Sequence, residues 1–247
     1  MQLRFILALL PLAGCDLPPR DSRFRATGEV IAFSGADGGA TAACFSCHGV
    51  DGQGDGGATP RLAGLDAGYL HRQLDDYASG RRDHAPMRAI AQHLDADDRE
   101  KVAAYYAGLA PTWAPSAATA SATDPHAARL YSEGDPARGL QACAQCHGEN
   151  GEGGGPGNPP LAGQPADYMA RQLWAWRTGK RLNDPLGEML AVSRRLSSEE
   201  VAAVAAHAAA LPGAHLPEAP AASRAARRVD SRNDALGPRP HAAGSSR

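Results

Sequence analysis

The string Cys-x-x-Cys-His occurs twice in this chain, from Cys44 to His48 and from Cys143 to His147. Cys143 stands 99 residues after Cys44, and the same offset holds far beyond the motif. It carries Pro60, Leu62-Ala63-Gly64 and Tyr69 onto Pro159, Leu161-Ala162-Gly163 and Tyr168. It also carries Arg72-Gln73-Leu74 onto Arg171-Gln172-Leu173, and Gly80 onto Gly179. So long a register marks a duplication, and the chain must fold one core twice. The expected copies are residues 28–110 and 125–217. The joining segment 111–124 lies in "APTWAPSAATASATDP", whose small and turn-forming residues cannot build a core.

Each copy reads as helical with long glycine-rich loops, and no alternating strand pattern stands out. "DAGYLHRQLDDYASG" sets Tyr69, Leu70, Leu74 and Tyr77 near helical spacing, with Asp66 as N-cap and Gly80 as stop. "PADYMARQLWAWRTG" repeats the pattern. "DADDREKVAAYYAGL" and "SSEEVAAVAAHAAAL" are the expected last helices, the second opened by a capping box of Ser197 and Glu200. Before the second motif, "DPARGLQA" reads as an N-terminal helix, whereas "GEVIAFSGADGGATAA" before the first reads as glycine-rich. Aromatic residues make up only 5% of the chain, so two domains of this composition have thin cores unless something besides side chains fills them.

Cys-x-x-Cys-His is the spacing of covalent c-type haem attachment. On one helical turn, residues three and four apart share a face. Cys44 and Cys47 can therefore both bond one porphyrin while His48 faces its iron, and Cys143, Cys146 and His147 can do the same. A thioredoxin-like pair calls for a βαβ pattern that is missing here. A closed zinc site calls for a fourth ligand that the copies do not share. Of four methionines, Met1 leaves with the leader and Met169 aligns with Leu70 as a core residue. Met87 and Met189 each lie in an expected loop between a glycine and the last helix, offset by 102 because the second loop is three residues longer. Thioether ligation on the far side of the iron raises its reduction potential. His71, His84, His93 and His207 have no histidine counterpart in the other copy, and His84 is the one placed to compete with Met87. The Pro60 and Pro159 carbonyls are candidate acceptors for the second ring N–H of each ligand histidine.

The opening "MQLRFILALLPLAGC" has a short apolar run after Arg4 and ends in Leu12-Ala13-Gly14-Cys15. Those residues resemble a bacterial lipobox. They imply a signal peptide over 1–14, lipidated Cys15 as the mature N-terminus, a tether over 15–27 and a protein held to the inner membrane on its periplasmic side. Net charge is −6 over 16–217 and +3 from Glu218 onward, with no basic stripe for nucleic acid. The last residues, 218–247, carry no apolar period and read as a disordered tail.

Together the paired Cys-x-x-Cys-His-Gly motifs, "PRLAG" and "PPLAG", the Tyr-containing helix, "APM" at 85–87 and "AAYYAGL" at 103–109 resemble di-haem class I cytochromes c of the cytochrome c4 type. The match covers about residues 38–211. It implies an all-α fold of two tandem domains about a pseudo-twofold axis, each wrapped around one covalent haem c. It also implies His–Met ligation of both irons and electron transfer, without catalysis, between a respiratory donor and a terminal oxidase or reductase. The expected partners are redox proteins. The alternative is a haem oxidoreductase, such as a di-haem peroxidase or thiosulfate-oxidising cytochrome, or the haem subunit of a membrane dehydrogenase complex. That reading needs one iron open to substrate, and the longer Met189 loop is the feature that favours it.

Overall fold

The computed structural model describes residues 27–111 and 124–213. The expected signal peptide, the lipobox with Cys15, nearly all of the tether and linker, and the tail lie outside them. Among the described residues the chain is helical, with isolated β-bridges and no longer strand.

In the first domain, α1 (Gly28–Ser34) packs against α5 (Ala96–Gly108), and α3 (Ala67–Ser79) packs against both α4 (Ala85–His93) and α5. The motif turn α2 (Phe45–His48) is a single helical turn. The second domain repeats the plan with α6 (Pro125–Ser132), the motif turn α7 (Ala144–His147), α8 (Ala166–Arg177), α9 (Glu188–Arg195) and α10 (Ser198–Ala210). Helix α3 begins where Asp66 accepts from the Tyr69 N–H at 2.8 Å and stops at Gly80, whose φ of 81° suits only glycine cheaply. Its buried residues Tyr69, Leu70, Gln73 and Tyr77 recur at helical spacing and form the face it turns inward. The Ser197–Glu200 capping box opens α10 as expected.

Three expectations on local structure are corrected. "DPARGLQA" is not a helix: Asp135 accepts from the Ala137 and Arg138 N–H groups, and Gly139 at φ 64° ends a single 3₁₀ turn over Pro136–Arg138. The N-terminal helix of that copy is α6, which starts ten residues earlier and is capped by Asp124. "GEVIAFS", by contrast, is helical, because Thr27 caps Val30 and left-handed Gly35 closes the turn before the glycines take over. Finally, Met87 and Met189 sit in the first turns of α4 and α9 rather than in loops. His84 caps α4 through the Met87 N–H at 3.3 Å, and Asp184 accepts from the Leu190 N–H at 3.0 Å.

The cores are small. Ile31, Leu65, Tyr69, Leu70, Leu94, Val102 and Tyr106 form the first. Two clusters around Leu130, Leu196, Val201 and Val204, and around Tyr131 and Met169, form the second. The domains meet where α3 and α8 end: Arg82 and Arg181 pair as an antiparallel bridge, flanked by Asp83 N–H to Lys180 C=O and Leu182 N–H to Arg81 C=O, both 2.7 Å.

Candidate functional site

Each motif turn is built the same way. The His48 N–H donates to the Cys44 carbonyl at 2.9 Å, and the His147 N–H donates to the Cys143 carbonyl at 2.9 Å. Cys44 and Cys143 are half-buried, Cys47 and Cys146 are exposed, and none of the four is in a disulfide. Burial pushes the Cys44 and Cys143 thiols up to about 11, so both are neutral thiols. The three motif side chains of either copy do not converge on a point. Among the described residues, the only acidic, Cys or His cluster tight enough for an ion is the largely exposed trio Asp95, Asp97 and Asp98 at the start of α5.

A glycine-rich loop then returns the chain to the histidine. The Gly54 N–H donates to the His48 carbonyl and the Leu62 N–H to the Gly52 carbonyl, both at 2.8 Å. Gly153 and Leu161 repeat those bonds at 2.8 and 2.9 Å. The loop ends with the Pro60 carbonyl 2.9 Å from His48 Nδ1, and the Pro159 carbonyl 2.9 Å from His147 Nδ1. The acceptors anticipated from the sequence are thus in place in both copies. A carbonyl can only accept, so Nδ1 carries the proton in each ring and Nε2 keeps a lone pair for a metal. Burial pulls both imidazoles below their ordinary pKa, and the proline carbonyls partly offset it. Both rings are therefore neutral, the form that ligates.

The methionines stand on the short helices that pack against α3 and α8, and both are half-buried. His84 is exposed, and its Nδ1 is engaged by the Met87 N–H. His71 lies 3.8 Å from Asp75, His93 faces the Ala89 carbonyl, and His207 stacks near Tyr131. These three are helix-surface or packing residues.

What sequence reasoning missed is the interface. Arg82 and Arg181, related by the same offset of 99, are only 4% and 6% exposed. Arg82 donates to Gln73, Tyr168 and Gln172, and Arg181 to Gln172, Gln73 and Asn183. All of these partners are neutral, and no carboxylate pairs with either arginine among the described residues. Buried cations call for anions. A haem, whose rim carries propionate carboxylates and whose flat apolar body would thicken two thin cores, fits this donor set.

An all-α protein that presents this turn once in each of two domains is a di-haem carrier of electrons, with one haem c covalently held in each domain. The chain belongs to the cytochrome c family, whose model matches residues 36–110 and 127–211. Among curated relatives, the "Thiosulfate dehydrogenase electron acceptor" of Stutzerimonas stutzeri (strain A1501) is 43% identical over 73% of this chain and 84% of its own length. Cytochrome c4 of Azotobacter vinelandii is 34% identical over 68% and 84%. Among solved structures, reduced cytochrome c4 from Pseudomonas stutzeri superposes with a TM-score of 0.63 at 32% identity, covering 73% of this chain and 98% of that one. A thiosulfate dehydrogenase (TsdBA) from Marichromatium purpuratum superposes with a TM-score of 0.65 at 39% identity over 83% of this chain. This chain spans 46% of that longer one.

Proposed function

We propose that the chain takes electrons from a thiosulfate-oxidising dehydrogenase and passes them to a respiratory acceptor, working in the periplasm from a lipid anchor on Cys15. In this reading Cys44 with Cys47, and Cys143 with Cys146, hold the two haems by thioether bonds. His48 and His147 would each ligate an iron, and Met87 and Met189 would each supply a second ligand from the protein. The haem supplies a one-electron Fe(II)/Fe(III) couple. The protein's part is to hold each histidine neutral and oriented through its proline carbonyl, to present the methionine from a capped helix turn, and to keep the site dry. With both sides of the iron taken by protein, no position is left for substrate.

The observation that carries the donor assignment is the 43% identity to a thiosulfate dehydrogenase electron acceptor over most of both chains. The test is stopped-flow reduction of the oxidised holoprotein. Thiosulfate with a thiosulfate dehydrogenase should reduce it rapidly, and thiosulfate alone should not. Reduction by thiosulfate alone, with tetrathionate formed, would make the chain an enzyme. No reduction by thiosulfate with the dehydrogenase, while a small-molecule reductant reduces the same sample, would remove the assignment.

A further inference from the structure

We propose that Gln164, in the second domain, tunes the haem of the first by polarising the peptide that holds His48. This rests on the reading of His48 as an iron ligand.

The Pro60 carbonyl and the Arg61 N–H are the two ends of one peptide group. At one end the carbonyl accepts from His48 Nδ1 at 2.9 Å. At the other, the Arg61 N–H donates to Gln164 Oε1 at 3.0 Å. Gln164 Nε2 also donates to the Arg61 carbonyl at 2.9 Å, so its amide grips the backbone from both sides. Arg61 Nη2 returns the contact by donating to the Ala162 carbonyl at 3.1 Å. Arg61 and Gln164 are 2% and 5% exposed, which leaves water little access to compete.

Amide resonance links the two ends: an acceptor on the N–H makes the carbonyl a better acceptor. A stronger carbonyl draws the Nδ1 proton harder and makes His48 a more basic ligand. A more basic ligand favours the oxidised iron and lowers its potential.

The second domain cannot do the same. Its corresponding peptide joins Pro159 to Pro160, and proline has no N–H to donate. The residue corresponding to Gln164 in the first domain is Leu65, which carries no amide. The relay therefore runs one way, from the second domain to the first haem. It gives two otherwise matched sites unequal histidine bases, and it makes the potential of one iron depend on the docking of the other domain.

The experiment is a spectroelectrochemical titration of the full-length holoprotein and its Gln164→Met variant, paired with proton NMR of the fully reduced state. In the variant one haem should shift to higher potential while the other holds its midpoint. The His48 Nδ1–H resonance should move upfield and that of His147 should stay. Gln164→Glu, whose carboxylate accepts more strongly, should shift the same haem the opposite way. Arg61→Pro, which copies the second domain's peptide, should act like Gln164→Met and serves if that variant fails to fold. An unmoved His48 resonance with unmoved midpoints, or equal shifts of both haems, overturns the proposal. Failure of the underlying ligand reading is seen separately, as a high-spin haem in the unsubstituted protein.

Discussion

Arg82 of the first domain donates from Nη2 to the hydroxyl of Tyr168 in the second, at 2.7 Å. The reverse contact, Arg181 Nη2 to the Tyr69 hydroxyl, measures 3.5 Å. The two contacts are related by the duplication, so the domains dock about a pseudo-twofold axis, yet they are unequal. Each guanidinium also lies over the aromatic ring of its own domain, Tyr77 at 4.6 Å and Trp176 at 3.9 Å. Such stacking suits arginine and would be lost with lysine.

Replacing Arg82 with Met should therefore cost more than a surface substitution. Tyr168 and Gln172 each lose their bond to Arg82 in a half-buried interface. The expected loss is about 2–4 kcal/mol of unfolding free energy in a denaturant titration. If the haems sit as proposed, removing this buried cation should also lower at least one haem potential. A change under about 0.5 kcal/mol with unmoved potentials would mean that the arginines are not the clasp described here.

The methionines can be counted spectroscopically. Thioether ligation gives oxidised cytochromes a weak long-wavelength charge-transfer band. Met87→Ala and Met189→Ala should each remove about half of it and lower one potential, and the double variant should remove it all. An undiminished band in Met189→Ala would show that the longer loop delivers some other ligand to the second iron.

Acid stability should depend on Glu200. Its hydrogen bonds to Arg138, with further support from the Ser197 N–H and His126, hold its pKa at about 2, against an ordinary value of 4.5. A carboxylate whose pKa is lowered on folding stabilises the fold fully above its unfolded value and loses that contribution as pH falls through its folded value. Glu200→Gln should therefore melt below the parent protein above pH 4.5, with the gap closing as pH falls from 4.5 toward 2. A gap independent of pH would assign the effect to lost packing instead.

The motif turns were legible in the sequence because everything they need is local. Cys44, Cys47 and His48 share one helical turn, and the Pro60 carbonyl returns only twelve residues later through glycines at positive φ. The helix caps at Asp66 and Ser197 are equally local and were readable. The N-terminal helices were less so. Gly28 and the glycines after Ser34 hide α1 from any propensity argument, and its burial of Ile31 and Ala32 against α5 decides the matter.

By itself, the sequence determined that one domain is written twice and that each copy carries a thiol–histidine turn suited to a covalent haem, and it offered the Pro60 and Pro159 carbonyls as candidate partners for the histidines. The duplication shows as a repeated register, while each turn and its carbonyl lie within about a dozen residues, where short-range geometry enforces them. Only the tertiary structure decided how the copies differ. Arg61 and Gln164 are 103 residues apart, and nothing in either segment alone says that one grips the other. The contact exists because two nearly identical surfaces dock about an axis, and a glutamine facing Arg61 on one side faces no second amide in return.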